Sequence, residues 1–228
     1  MKAMILAAGR GERLRPVTDR LPKPLLEVGG KPLLAWHLER LAAAGIVNVV
    51  INVSHFADLI VTHVGNGASY GLSVQYSREP EALETAGGIA QARAQLGEAP
   101  FLLVNGDVYC EIDFTRLRRE PLGAGLAHLV LVPNPPHHPR GDFSLEAGRV
   151  GNASGTRYTY AGIALMSPAV VDGIDPGSRA PLAPLLRAAA ERGLITGTLY
   201  QGTWQDVGTV ERLAALDALL TERHGTRS

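Results

Sequence analysis

The chain has 228 residues, of which 22 are basic and 22 acidic, so its formal net charge is zero. That balance excludes a whole-surface attraction to nucleic acid or to an anionic membrane, while leaving room for a local anionic site. Hydrophobic residues make up 46% of the sequence, enough for the core of one domain, and no apolar stretch approaches the ~20 residues of a membrane span.

The first candidate strand is Ala3–Ala8, cut short by Gly9. With one lysine before it, this run is too short and too glycine-bounded for a signal peptide. The single cysteine, Cys110, permits no intramolecular disulfide, which fits a cytoplasmic chain. Its expected place is as buried filler near a strand end, not as a nucleophile. Lys31–Ala44 predicts a helix, with Pro32 near its start, Leu34, Leu38 and Leu41 on one face, and Gly45 as terminator. Then come a strand at Val47–Val53, a helix at Phe56–Val64, a strand at Leu72–Tyr76, a helix at Ala86–Leu96, and strands at Phe101–Asn105 and Leu126–Val132. Alternating strand and helix predicts a three-layer α/β domain: a mostly parallel central sheet with helices on both faces. Ligands of such sheets bind beyond the carboxyl ends of the strands. Further on, the proline-rich segment Asn134–Gly141 is a long loop. Phe143–Leu145, Val150 and Tyr158–Met166 are shorter strands, Leu182–Arg192 and Val210–Leu220 are amphipathic helices, and the polar tail Thr221–Ser228 is expected to fray.

The chemistry is concentrated near the N-terminus. Gly9 and Gly11 lack a Cβ, so backbone N–H groups there can approach phosphate oxygens. Arg10, Arg13, Arg15 and Lys23 put positive charge at the mouth of the loop, and Pro22 and Pro24 restrict the backbone of Lys23. Together these suit a triphosphate. Val104-Asn105-Gly106-Asp107 ends an apolar run with a carboxylate at the same sheet edge.

These residues resemble the sugar-1-phosphate nucleotidyltransferases. The opening L-A-A-G-x-G-x-R-L-x-P-x-T is matched by Leu6–Gly9, Gly11, Arg13, Leu14, Pro16 and Thr18; P-K-P-L-L by Pro22–Leu26; G-K-P by Gly30–Pro32. Gly106-Asp107 and Trp204-Gln205-Asp206-Val207-Gly208-Thr209 resemble the family's two metal-binding segments. The resemblance implies a Rossmann-like, GT-A-type domain spanning residues 1–228, with a nucleotide-binding half (1–110) and a sugar-binding half (111–228). It implies nucleotide contacts from Leu6, Ala7, Ala8, Gly9, Gly11, Glu12, Arg13, Lys23, Glu79, Thr85 and Gly87. Arg13 and Lys23 would carry the catalysis, and Asp107 and Asp206 would bind Mg²⁺. Asp206 could instead cap the helix that begins near Thr209.

Base and sugar are less legible. Glu79 and Glu84 stand where many pyrimidine-specific relatives carry glutamine and glycine. A carboxylate can accept from uracil N3–H or from guanine donors, so the base stays open on physical grounds. Glu84 and Thr85 could equally cap a helix. A Glu-Lys-Pro sugar segment is missing. Leu83–Gly88, Asn134–Phe143, Tyr160–Ile163 and Ala183–Arg187 most resemble the branch acting on N-acetylmuramate α-1-phosphate with UTP in cell-wall sugar recycling. Asn105, Asp142, Glu146 and Gly162 are then the candidate sugar contacts. Arg140, Arg149 and Arg157 are equal candidates for the sugar's lactyl carboxylate, and His137-His138 reads as a solvated or pocket-lining pair. The rival readings are a mannose- or glucose-1-phosphate nucleotidyltransferase, a glycosyltransferase and a non-catalytic nucleotide-sugar sensor. Partners are expected to be small molecules, for a monomer or small homo-oligomer.

Overall fold

A computed structural model describes residues 1–153 and 155–225. In chain order it forms β1 (Lys2–Leu6), the hairpin of β2 (Glu27–Val28) and β3 (Lys31–Pro32), α1 (Leu33–Ala43), β4 (Asn48–Val53), α2 (Ala57–Val64) and β5 (Ser73–Arg78). Next are α3 (Glu84–Gln91), α4 (Arg93–Leu96), β6 (Phe101–Asn105), β7 (Val108–Cys110), α5 (Phe114–Leu117) and β8 (Ala127–Val132). The remainder is β9 (Phe143–Glu146), β10 (Arg149–Gly151), β11 (Arg157–Met166), α6 (Leu182–Glu191), β12 (Ile195–Leu199), β13 (Trp204–Asp206) and α7 (Val210–Gly225).

The described residues build a nine-stranded sheet in the order β5-β4-β1-β6-β11-β8-β12-β10-β9. The first four strands are parallel, as the strand–helix alternation predicts. The second half is mixed: β11 runs antiparallel between β6 and β8, and β10 runs antiparallel between β12 and β9. Strand alternation divides the apolar residues between two faces. On β1, Ala3 and Ile5 pack with Leu34, Leu38 and Ile60 of α1 and α2. Met4 faces the other way, with Ala86, Ile89, Leu182 and Leu186 of α3 and α6. Helix α1 stops where Gly45 takes a φ of +70°. There the N–H groups of Gly45 and Ile46 turn back onto the carbonyls of Ala42 and Leu41.

A third apolar cluster joins Val28, Leu33 and Tyr109 to Val207, Leu216 and Leu220, so α7 docks on the N-terminal hairpin. Gly29 makes this close approach possible: a Cβ there would lie 2.7 Å from Leu220 Cβ. The two halves are therefore not separate bodies; β6 pairs with β11, and β7 with β13. Because of this docking Thr221–Gly225 continue the helix instead of fraying, and residues 226–228 of the expected tail lie outside the described residues.

His37, on α1, is fully buried and donates from Nε2 to the Val108 carbonyl at 2.8 Å, leaving Nδ1 without a partner among the described residues. Burial lowers its pKa to about 4, against the opposing pull of that hydrogen bond. The unfolded chain takes up this proton near the ordinary histidine value while the folded chain resists, so stability falls with pH from ~6.5 down to the folded value. Chemical denaturation at pH 7 and at pH 4 should differ by roughly 3 kcal/mol more in the wild type than in His37→Gln. Parallel pH profiles for the two proteins would refute this.

Candidate active site

Parallel register sets the floor of the site. Leu6 at the end of β1 is level with Asn52 of β4 and Asn105 of β6, so three strand ends open onto one edge. A cavity of about 630 Å³ lies there, lined by the loop Leu6–Leu14 and by Lys23, Pro24, Asn52, Glu79, Ala82, Glu84, Thr85, Asn105, Asp107 and Gly208. A side chain at Gly9 would point into open space, so the loop backbone faces the cavity unshielded. Gly11 has a φ of +66° and passes its carbonyl to Thr18 Oγ1 at 2.9 Å. Buried Leu14 anchors the helical turn Glu12–Leu14, which leaves Arg10 and Arg13 exposed at the cavity mouth.

Lys23 is only 7% exposed, yet its Nζ reaches the cavity and lies 2.6 Å from Asp107 Oδ2. Gly106 donates to the Leu6 carbonyl at 2.9 Å, and a Cβ on it would sit 2.6 Å from that oxygen. Glycine is therefore required immediately before the carboxylate. Asp206 comes alongside through the β7–β13 ladder, in which it pairs with Val108 and Val207 N–H donates to the Asp107 carbonyl at 2.8 Å. Both Asp206 oxygens accept from Arg212 Nη1, at 2.9 and 2.7 Å, and His137 Nε2 lies 3.1 Å from Oδ1. Thr209, not Asp206, caps the start of α7, accepting from Arg212 N–H at 3.4 Å. Among the described residues no three His, Cys, Asp or Glu side chains form a metal-sized cluster. A carboxylate in the cavity wall, Asp107, with a second, Asp206, on the strand laddered beside it suits Mg²⁺, which takes few protein ligands and completes its shell with water and phosphate oxygens.

Glu79 is 4% exposed and its two oxygens are already engaged. Oε1 accepts from Asn52 Nδ2 at 2.7 Å and Oε2 from Leu83 N–H at 2.9 Å. Burial raises its pKa above the usual carboxylate value, opposed by those two bonds. Asn52 completes the chain by accepting from Ala7 N–H at 2.8 Å. One buried network thus ties the phosphate loop to the segment leading into α3. Asn52 escaped the sequence reading; its only signal was one amide inside an apolar strand. The small residues of α3 are used within the protein: a Cβ on Gly88 would lie 2.7 Å from Glu79 Oε1, and one on Gly87 2.3 Å from the Ser178 carbonyl. Glu84 adopts a φ of +60° and pairs with Arg179 at 2.9 Å.

The candidate sugar contacts separate. Asn105 lines the cavity, and Gly162, with a φ of +74°, lies against it; a Cβ there would be 2.6 Å from Asn105 Nδ2. Asp142 has both oxygens engaged, Oδ2 by Tyr160 N–H at 2.8 Å and Oδ1 by His138 Nε2 at 3.1 Å. It lies outside the cavity lining, as does exposed Glu146. Arg157 donates to the Asp142 carbonyl, Arg149 sits on β10 opposite Thr196, and Arg140 is an exposed loop residue. A second cavity of about 680 Å³ is lined by Asp206. Val132, Pro135, His137, Gln201, Trp204 and Arg212 are among its lining residues. Arg212 too escaped the sequence reading. Cys110 is buried, and burial pushes its thiol up to about 11, which leaves it inert at neutral pH. No helix among the described residues is long and apolar enough to cross a membrane.

Residues 2–141 match the sequence model described as nucleotidyl transferase. An N-acetylmuramate alpha-1-phosphate uridylyltransferase of Neisseria meningitidis is 50% identical over 226 residues, covering 96% of this chain and 98% of that protein. The enzyme of the same name from Caulobacter vibrioides is 34% identical, covering 96% and 97%. A solved structure from Bacillus anthracis, described as a glucose-1-phosphate thymidylyltransferase in complex with a sucrose, superposes with a TM-score of 0.85 at 24% identity, over 97% of this chain and 96% of that one. It shares the fold.

Proposed function

The chain belongs to the nucleotidyl transferase family, and on that premise we propose that it transfers the uridylyl group of UTP to N-acetylmuramate α-1-phosphate and releases pyrophosphate. The observation that carries the reading is the Lys23–Asp107 pair, set in the wall of a cavity with a bare glycine loop on one side and open arginines at its mouth.

The acceptor is a phosphate monoester with a second pKa near ~6, so at neutral pH it is already a competent nucleophile and no general base is needed. Its oxygen attacks the α-phosphorus, the bond to the bridging oxygen breaks, and pyrophosphate leaves with the electron pair. What the chain must supply is juxtaposition of two polyanions and charge opposite the transition state. The Leu6–Gly11 backbone and Arg13 would hold the β- and γ-phosphates. Lys23, exchanging Asp107 for phosphate oxygens, would bridge the α-phosphate and the attacking phosphate. Asp107 and Asp206 would hold Mg²⁺, which when bound would neutralise phosphate charge and keep the reacting oxygens in line. The same reading puts the chain in the cytoplasm, where nucleoside triphosphates are available.

Pyrophosphate release with Mg²⁺ tests it, pairing UTP, GTP, CTP, dTTP and ATP with N-acetylmuramate-, N-acetylglucosamine-, glucose- and mannose-1-phosphate. The expected result is strong release from UTP with N-acetylmuramate-1-phosphate. Release from GTP with mannose-1-phosphate instead would overturn the substrate assignment and keep the chemistry.

A further inference from the structure

We infer that Arg212 is the residue that recognises the carboxylate of the acidic sugar, in the second cavity; this rests on the function proposed above. The arginines suggested by the sequence are committed or remote: Arg157 is tied to the Asp142 carbonyl, and Arg149 and Arg140 do not line either cavity. Arg212 lines the second cavity and touches the wall of the first. Its guanidinium lies against Gly208, which lines the first cavity, and its Nη1 holds Asp206, which lines the second.

The guanidinium is only half used. A planar fork offers five N–H donors, and its side edge, Nε with Nη2, matches the two oxygens of a carboxylate. Nη1 serves Asp206, whereas Nε is buried without a partner among the described residues. A buried N–H lacking an acceptor is a standing cost, and a bound carboxylate would remove it. The second cavity, which Arg212 lines, has apolar walls, Pro135 and Trp204, suited to a lactyl methyl and a sugar ring, with His137 beside the cation. An anomeric phosphate near Lys23 and a 3-O-lactyl group near Arg212 would be carried on C1 and C3 of one hexose ring. A neutral sugar such as N-acetylglucosamine leaves that fork unanswered.

Two variants separate charge from fold. Arg212→Met removes the guanidinium. Gly208→Ala keeps it but displaces it, because the new Cβ would lie 2.0 Å from Nη2, the mobile end of a flexible side chain. The readout is the ratio of kcat/KM for N-acetylmuramate-1-phosphate over N-acetylglucosamine-1-phosphate. Loss of a charge-assisted pair should lower that ratio about 10- to 100-fold in Arg212→Met, and in the same direction in Gly208→Ala. Calorimetric binding of UDP-N-acetylmuramate and UDP-N-acetylglucosamine in EDTA should show the same loss of preference without turnover or metal. A wild-type preference that survives in both variants overturns the inference alone. A wild-type enzyme without preference overturns it together with the proposed function.

Discussion

Lys23→Ala will lower turnover by about 10² or more, because it deletes a cation whose contact with the phosphates strengthens as charge shifts toward the leaving group. The fold should tolerate the change. The ammonium meets Asp107, which is 42% exposed and can turn to water when its partner is gone. Thermal melting should therefore move little while kcat collapses, and Lys23→Arg should recover only a fraction, since a planar fork does not substitute for a point charge held between two prolines. Rapid-quench measurement of the first turnover reads the chemical step directly. A normal first turnover in Lys23→Ala would remove Lys23 from the mechanism.

Asn52→Asp is expected to be the most damaging single-atom change in the nucleotide wall. It brings a second carboxylate to within 2.7 Å of Glu79 Oε1, where the amide now donates. Two anions cannot share that buried spot, so the loss should be roughly 3 kcal/mol or more in stability, with KM for UTP raised and KM for the sugar phosphate spared. The reciprocal change gives the decisive comparison. In Asn52→Asp with Glu79→Gln, the carboxylate at position 52 accepts from Ala7 N–H and from the new amide at position 79, whose oxygen still accepts from Leu83 N–H. All three bonds and the net charge are restored. Melting temperature and kcat/KM for UTP should both recover in the double variant. A double variant no better than Asn52→Asp would show that the network does not carry the coupling between the loops.

The parallel half of the fold was readable because its strands are short, mostly apolar runs between helical patterns, as in Val47–Val53 and Phe101–Asn105. β12 was missed because Ile195-Thr196-Gly197-Thr198-Leu199 has a glycine at its centre and no strong apolar signal. The three-residue strands β7 and β13 are too short for any period to show, although their pairing sets Asp206 beside Val108. In the site, the glycine loop, Lys23 and Asp107 were legible as a linear motif and converge on one cavity. Asn52 and Arg212 were not, because their meaning is tertiary: one amide in a strand and one arginine on a helix say nothing until Glu79 and Asp206 are folded against them. Glu79 was singled out as a reader of the base; its engaged oxygens make it equally a brace for the loop that surrounds the base.

The docking of α7 on the β2–β3 hairpin, with β13 laid along β7, sets an order of assembly on the ribosome. The strand that flanks Asp107 waits for a partner made much later in the chain, and Gly29 N–H waits for the Asp217 carboxylate that it meets at 2.8 Å. A nascent chain can close its first parallel strands early but cannot finish the catalytic edge until α7 has left the exit tunnel, so products that stop short of α7 are denied a working site.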